Sequence, residues 1–160
     1  MKKCKRTIED KIIILALKNV KKLKGGPFAA AVTLNGKIIS QAANAVTAKN
    51  DPTAHAEIEA IRKAAKKLKT YDLSKCEIYA SCKPCPMCLS AIYWANIKKV
   101  HYCAQTQTAC KYGFKDGFIF EELSKPENKR KIREIKSAAV SEDPSAPFKA
   151  WKMLADKKKY

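Results

Sequence analysis

The chain has no long uninterrupted hydrophobic run, although 46% of its 160 residues are hydrophobic. Its first apolar pattern, over residues 8–23, is broken by charged residues as in an amphipathic helix. A membrane span needs about 20 apolar residues in succession, and a signal peptide needs an unbroken apolar core. We therefore expect neither. Interdomain linkers and internal repeats are also missing, so we predict one domain over residues 1–160.

A complete set of disulfides is excluded as well, because the chain has seven cysteines, an odd number. A chain of this length can bury a core without disulfide staples. We therefore expect free thiols in a reducing compartment and predict that the protein is cytoplasmic.

Acidic residues are few compared with basic ones, 15 against 33, and the net charge is +18. Such a charge attracts phosphate backbones. However, arginine, which base-reading surfaces favour, occurs only at Arg6, Arg62, Arg130 and Arg133. The lysines are spread along the chain, without an RNA-binding motif that has interleaved aromatics. We expect a solvated lysine-rich surface and at most weak, nonspecific association with nucleic acid.

Two short motifs predict a metal site. His55 and Glu57 are followed about thirty residues later by Cys85 and Cys88 in Pro-Cys-Pro-Met-Cys. One imidazole and two thiolates are three ligands, whereas a structural zinc site usually has four, so a water can bind in the open position. A CxxC pair alone is also typical of redox sites and of half a structural zinc site. His-x-Glu together with Pro-Cys-x-x-Cys is the signature of zinc deaminases, in which Glu57 is a proton shuttle and not a ligand.

The apolar periodicity predicts alternating helices and strands. A two-residue hairpin turn is expected at Asn35-Gly36. The alternation implies parallel crossovers and a sheet covered by helices on both faces. Both metal motifs fall at helix N-termini, whose dipoles favour thiolates. We predict helices over residues 7–23, 54–69, 87–96, 117–123 and from 146 onwards, and strands over residues 28–34, 37–43, 76–81, 98–104 and 134–140.

Several longer segments resemble bacterial guanine deaminases of the cytidine deaminase superfamily, and the resemblance covers essentially the whole chain. The metal motif identifies only the superfamily, whereas residues 112–118 and the aromatic C-terminus point to guanine. Two departures, Ala30 in place of a glycine and Lys83 in place of a glutamate, remove neither a ligand nor Glu57. The segments are GGPFAAAV at 25–32, NDPTAHAE at 50–57, PCPMCLSAIYWA at 84–95, YGFKDGF at 112–118 and PFKAWKMLADKKKY at 147–160.

The resemblance implies a cytidine deaminase-like fold, a three-layer α/β/α sandwich with a mixed central sheet. It implies a Zn²⁺-dependent hydrolase that converts guanine to xanthine and ammonia, with Glu57 moving the proton. It also implies a homodimer in which the C-terminal helix, residues 146–160, is swapped so that Tyr160 closes the partner's pocket. Without the resemblance, residues 157–160 would be described as a frayed basic tail.

Three residues are candidates for holding the base. Asn44 resembles the family's amide that hydrogen-bonds the purine edge, because an amide offers a donor and an acceptor together. Its alternative role is to form a turn. Phe28 and Trp94 are candidates for stacking on the purine ring, although aromatic residues near apolar runs also serve simply as core.

Asp116 is the candidate for selecting guanine. The N1–H and 2-amino groups of guanine are adjacent donors, and an ionised carboxylate accepts from both. The competing interpretation is that Asp116 belongs to a turn or caps a helix. Glu142 and Asp143 are weaker acidic candidates.

Two other functions stay open at this point. A tRNA-specific adenosine deaminase shares both metal motifs and would suit the positive charge. A non-enzymatic zinc module that binds nucleic acid is the third possibility. Asp116 and the aromatic C-terminus argue against the first alternative, and the missing fourth ligand argues against the second.

Overall fold

The computed structural model describes residues 6–137 and 141–158. Backbone contacts divide the chain into two compact units, one ending at Glu121 and the other beginning at Glu122. No helix within the described ranges is long and apolar enough to cross a membrane. In chain order the elements are α1 (Ile8–Lys21), β1 (Ala29–Leu34), β2 (Lys37–Ala43), α2 (Val46–Lys49), α3 (Ala56–Leu68), β3 (Cys76–Cys82), α4 (Pro86–Trp94), β4 (Lys99–Ala104), α5 (Thr106–Lys111), α6 (Asp116–Ser124), a 3-10 turn (Glu127–Lys129) and α7 (Ala146–Met153).

The first unit contains a four-stranded sheet in the order β2-β1-β3-β4. Strand β1 is antiparallel to both of its neighbours, while β3 and β4 are parallel. The parallel crossover expected from the strand-helix-strand pattern is therefore present between β3 and β4 through α4. The sheet is therefore mixed, because the β1–β2 and β1–β3 pairs are antiparallel and the β3–β4 pair is parallel.

Strand β1 separates the two hydrophobic layers of this unit. Ala29 and Ala31 are buried in the cluster that includes the inward side of α1, whereas Ala30 and Val32 are buried with α3. This alternation is the period of two that places successive strand residues on opposite faces. Helices therefore cover both faces of the sheet, which is the three-layer arrangement predicted from the sequence.

Helix α1 begins with a capping box. The Thr7 amide donates to Asp10 Oδ2 at 2.9 Å, and the Asp10 amide donates to Thr7 Oγ1 at 3.1 Å. Such reciprocal bonds satisfy amides that have no partner within the first turn of a helix. The capping box therefore fixes where α1 begins.

The hairpin between β1 and β2 turns at Asn35 and Gly36, both with positive φ (51° and 71°). Two successive positive φ angles are typical of a type I′ turn, as the Asn-Gly pair predicts. Beyond this hairpin, β2 is an edge of the described sheet. Its outward carbonyls accept hydrogen bonds from α3, because Lys63 Nζ donates to Gln41 O at 3.3 Å and Lys67 Nζ donates to Ile39 O at 3.1 Å.

The strand predicted over residues 134–140 is not found where the chain is described. Residues 134–137 form no strand, and residues 138–140 lie outside the described residues. Ile135, an apolar residue in the described part of this segment, is 83% exposed. Without a buried face, period-two alternation does not lead to strand pairing. Two short helices, α2 and α5, were not predicted, because four and six residues show too little periodicity.

Candidate active site

Two helix N-termini present the predicted metal ligands. His55 is the N-cap of α3 and Cys85 is the N-cap of α4, both with extended backbone, and Pro86 occupies the first turn of α4. Neither N-cap side chain accepts a capping hydrogen bond from its own helix. Proline suits this position because the first helical residue needs no amide donor. The imidazole and the thiol are therefore directed away from capping and towards each other.

The three predicted ligands meet in one group. His55 Nδ1 lies 3.6 Å from Cys85 Sγ and 3.5 Å from Cys88 Sγ. Zinc–sulfur and zinc–nitrogen bonds at a tetrahedral angle place two such ligand atoms about 3.6 Å apart. Among the described residues, these three form the one group of His, Cys, Asp and Glu side chains close enough to hold a metal ion. The donor set and its spacing fit zinc.

The pKa values of the two thiols are shifted in opposite directions. A hydrogen bond from the Cys88 thiol lowers the pKa of Cys85 to about 4, and the neighbouring His55 acts in the same direction. The same hydrogen bond, together with burial, raises the pKa of Cys88 above its ordinary value. A metal ligand must be a thiolate, so metal binding releases the shared proton.

Glu57 lies in the first turn of α3, beside the ligands but outside the ligand group. It is 8% exposed. Burial raises the pKa of Glu57 to about 7, and the nearby negative charge of Cys85 contributes to the rise. A carboxyl group with such a pKa can both accept and release a proton near neutral pH. This is the property that a proton shuttle needs.

Asn44 directly follows β2, and a backbone hydrogen bond connects its neighbour Ala45 to the segment that carries His55. The Ala45 amide donates to Ala54 O at 2.9 Å, and Ala54 immediately precedes His55. The Asn44 amide donates to Phe28 O at 2.9 Å. The structure therefore brings Asn44 and Phe28 together, next to the segment that carries the histidine ligand.

The side-chain amide of Asn44 has a definite orientation. Its Oδ1 accepts hydrogen bonds from the Gly26 amide at 3.2 Å and from the Val46 amide at 3.3 Å. The expectation from the sequence was a donor and an acceptor offered together. In the structure both hydrogen bonds to Oδ1 come from backbone, so Nδ2 remains as the group for a ligand.

The two predicted stacking residues have different surroundings. Phe28 is half-buried, and its ring contacts Phe114 edge to face, with centroids 4.8 Å apart and planes at 82°. Trp94 is the last residue of α4 and is 67% exposed. The structure thus places Phe28 beside Asn44, and for Trp94 it shows an exposed ring at a helix end.

The side chain of Asp116 and the whole of Tyr160 lie outside the described residues. Helix α6 begins at Asp116. The roles of both residues in binding the base stay predictions.

A charge cluster around the buried Glu59, which was not predicted from the sequence, holds the loop before His55. Glu59 is 7% exposed and accepts from Lys49 Nζ and, at 3.0 Å, from Arg62. Arg62 also lies 3.7 Å from Asp51, which accepts from the Thr53 amide at 2.7 Å. These bonds connect α2, the loop over residues 50–55 and α3. The Glu59-Arg62 spacing of three residues was the available signal, since it is typical of a helical ion pair.

Comparison with known proteins gives a consistent assignment. The family model of the cytidine and deoxycytidylate deaminase zinc-binding region matches residues 5–104. This range contains the three ligands and Glu57.

Among individual proteins, guanine deaminase of Bacillus subtilis (strain 168) is 47% identical over 154 residues, which cover 96% of this chain and 97% of that protein. Its X-ray structure matches with a TM-score of 0.89 at 46% identity, covering 95% of this chain and 96% of that one. Guanine deaminase from Nitrosomonas europaea matches with a TM-score of 0.65 at 32% identity, over 70% of this chain and 68% of that one.

The similarity to tRNA-specific adenosine deaminases is shorter. The protein from Aquifex aeolicus (strain VF5) is 44% identical over 78 residues, which cover 49% of this chain and 52% of that protein. The family model and the nearly full-length relatives together show that the chain belongs to the zinc-dependent cytidine and deoxycytidylate deaminase family.

Proposed function

We propose that the protein catalyses the hydrolytic deamination of guanine to xanthine and ammonia. The observation that supports this most directly is a three-ligand zinc site beside the buried carboxyl group of Glu57. It occurs in a chain that is similar to a guanine deaminase over 96% of its length. Three ligands leave a coordination position for water, which distinguishes a catalytic site from a structural one.

Bound zinc supplies acidity, since it lowers the pKa of a water in its open position to about 7. Glu57 accepts the proton of the water that attacks C2 of guanine. The same carboxyl group delivers this proton to a ring nitrogen. It then accepts the proton of the hydroxyl group now on C2 and delivers it to the amino group, so that ammonia leaves as the C2 carbonyl forms. Burial of Glu57 keeps bulk water away from this transfer.

Base recognition is assigned to residues of three segments. Asn44 presents Nδ2 as a donor, and Phe28 offers a ring edge or face beside it. Asp116 accepts from the N1–H and 2-amino groups of guanine, which adenine does not offer as a pair. Replacing Asp116 with Asn is expected to raise the KM for guanine without changing zinc content. An unchanged KM would assign Asp116 to a structural role.

The second candidate function is deamination of adenosine in tRNA, which is favoured by the net charge of +18 and by the partial similarity to tRNA deaminases. One panel separates the possibilities: ammonia release from guanine, guanosine, adenine, cytosine, cytidine and tRNA by zinc-loaded protein. Guanine alone should be a good substrate. Release from tRNA but not from guanine would replace the proposal, and a zinc-loaded protein inactive on every substrate would favour a binding module.

The shuttle role of Glu57 has a matched control on the same helix. Glu57→Gln should retain zinc and lose about 10²- to 10⁴-fold in kcat, the usual contribution of general acid–base catalysis. Glu59→Gln also replaces a buried carboxylate, but Glu59 is paired with Lys49 and Arg62. This control variant should lower stability and leave kcat within a few-fold. Near-native turnover by Glu57→Gln would refute the shuttle.

The swapped homodimer is part of the same proposal. Phe148 is exposed on α7, Met153 ends the helix exposed, and Trp151 is partly exposed, so this unit presents apolar surface that a partner subunit would cover. In a swapped dimer, a Glu57→Gln chain still provides Tyr160 to a partner that has Glu57. Mixing this variant with a chain lacking Tyr160 should therefore restore activity after joint refolding. Without swapping, every site in the mixture has a defect and activity stays low.

Two further predictions concern the surroundings of the enzyme. The cytoplasmic location rests on the odd number of cysteines. Nonspecific association with nucleic acid rests on the net charge, and it should disappear at moderate salt because it depends on counterion release.

A further inference from the structure

In the last full turn of α1, the side chain of Asn19 contacts two loops of the site. Asn19 Nδ2 donates to Gly26 O at 3.0 Å and to Asn44 O at 2.9 Å. Gly26 belongs to the loop between α1 and β1, and Asn44 follows β2. A single amide group therefore ties together two segments that are 18 residues apart in the chain.

The hydrogen-bond partners of Asn19 and Asn44 determine which way the oxygen and the NH₂ group of each side-chain amide point. Both partners of Asn19 are carbonyl oxygens, which only accept, so its NH₂ group must face them. Both partners of Asn44 Oδ1 are backbone N–H groups, which only donate. The oxygen of Asn44 thus faces the Gly26 and Val46 amides, and its NH₂ group is turned the other way.

The NH₂ group of Asn44 is left for a ligand. Within the described ranges, no residue accepts a hydrogen bond from Asn44 Nδ2, and no side-chain nitrogen or oxygen is both fully buried and unpaired, so Nδ2 can be reached from outside although Asn44 is only 8% exposed. A ligand without an acceptor at that place would bury this donor unpaired, which is costly, so the donor favours a ligand that has an acceptor there. On a nucleobase such an acceptor is a carbonyl oxygen or an unprotonated ring nitrogen.

We propose that Asn19 is a positioning residue for substrate binding, which acts through Asn44. By holding the carbonyls of Gly26 and Asn44, it keeps the Gly26 amide within reach of Asn44 Oδ1, and so keeps the Asn44 NH₂ group directed at an acceptor on the base. This inference rests on the proposed function for its substrate, guanine. The geometry on which it depends is independent of that function.

A double-mutant cycle separates positioning from general stability. Asn19→Ala should raise the KM for guanine by about 5- to 30-fold, as expected from the loss of two hydrogen bonds, with kcat changed less than threefold. In an Asn44→Ala background the same change should add less than twofold, because the side-chain NH₂ group that Asn19 positions is already gone, although the backbone carbonyl remains. Lys18→Ala, one position away on the exposed side of α1, is the matched control and should leave KM unchanged.

Two other variants of Asn19 test the chemistry of the bond. Asn19→Asp replaces the NH₂ group with an acceptor facing two carbonyls, and its KM should exceed that of Asn19→Ala. Asn19→Gln keeps two donors on a longer side chain and should restore part of the affinity. The opposite order, with Asp binding better than Ala, would overturn the proposal.

Amide hydrogen exchange gives a readout that needs no activity. Asn19→Ala should speed exchange of the Gly26 and Val46 amides, which Asn44 Oδ1 protects, while exchange in β3 stays unchanged. Unchanged protection of both amides, an unchanged KM, or a KM effect of equal size in both backgrounds would overturn the proposal. Should the wild type fail to deaminate guanine, or Asn44→Ala fail to fold, amide exchange decides whether Asn19 orients Asn44.

Discussion

Gly25→Ala should reduce catalysis by moving Asn44. A Cβ atom at Gly25 would lie 2.3 Å from Asn44 O, and ordinary contact begins at 3.4 Å, so the two segments must separate by 1.1 Å. The hydrogen bond from Asn19 to the same oxygen is 2.9 Å long and does not survive such a displacement. A misplacement of about 1 Å in a substrate-holding group costs on the order of 10²-fold in kcat/KM.

The assay is kcat/KM for guanine on zinc-loaded protein, with zinc content and the free energy of unfolding measured on the same samples. We expect a loss of about 10²-fold in kcat/KM and about 1–3 kcal/mol in stability, the usual cost of overpacking. Zinc content should stay at the wild-type value, because the three atoms nearest to a Cβ at Gly25 all belong to Asn44.

Gly36→Ala is the matched control for backbone strain. Gly36 has φ of +71°, and a Cβ atom there would meet nothing within 4 Å. It should cost about 1–2 kcal/mol of stability through its left-handed backbone alone and leave kcat/KM unchanged. If Gly25→Ala and Gly36→Ala had kcat/KM values within twofold of each other, the close approach at Asn44 would not control substrate placement.

Three further predictions concern stability and the metal. Lys49→Met should lower the free energy of unfolding by about 1–2 kcal/mol at pH 7. The hydrogen bond from Lys49 holds the pKa of Glu59 below its ordinary value, so this contribution is present above the ordinary pKa of a glutamate and is lost as the pH falls through the lowered pKa. Denaturant unfolding from pH 7 to pH 3.5 measures it, and a difference independent of pH would contradict it. Chelation should lower Tm and turnover together, with recovery by Zn²⁺ and not by Mg²⁺, because thiolates and imidazole favour zinc; recovery by Mg²⁺ would contradict the donor set. Thr7→Ala should cost about 1 kcal/mol, read as a lower Tm with unchanged kcat.

Much of the fold was predictable because the responsible interactions are local. The Asn35-Gly36 pair specifies a tight turn through positive φ angles, and it does so in the structure. The long helices α1 and α3 were predicted within about two residues, since their apolar period repeats over several turns. Helices α2 and α5 are too short for such a repeat, and the strand predicted over residues 134–140 depended on a buried face that residues 134–137 do not have.

The candidate site also has features that were predictable from the sequence and features that were not. Spacing located His55, Cys85 and Cys88, because a helix N-terminus places such residues predictably. The orientation of the Asn44 amide was not predictable, since it depends on backbone amides at Gly26 and Val46 together. Hydrogen bonds between residues so far apart in the chain leave no periodic trace in a single sequence.

The two lysines of α3 above strand β2 have a consequence for behaviour at high concentration. An open sheet edge offers its carbonyls to any extended chain that arrives, and fibrous assemblies grow by such additions. Lys63 and Lys67 already donate hydrogen bonds to the carbonyls of Gln41 and Ile39. Their positive charges also repel a second copy of the chain, which has the same lysine-rich surface. We therefore expect these two lysines to limit self-association through this edge, and acetylation of both amines should increase it.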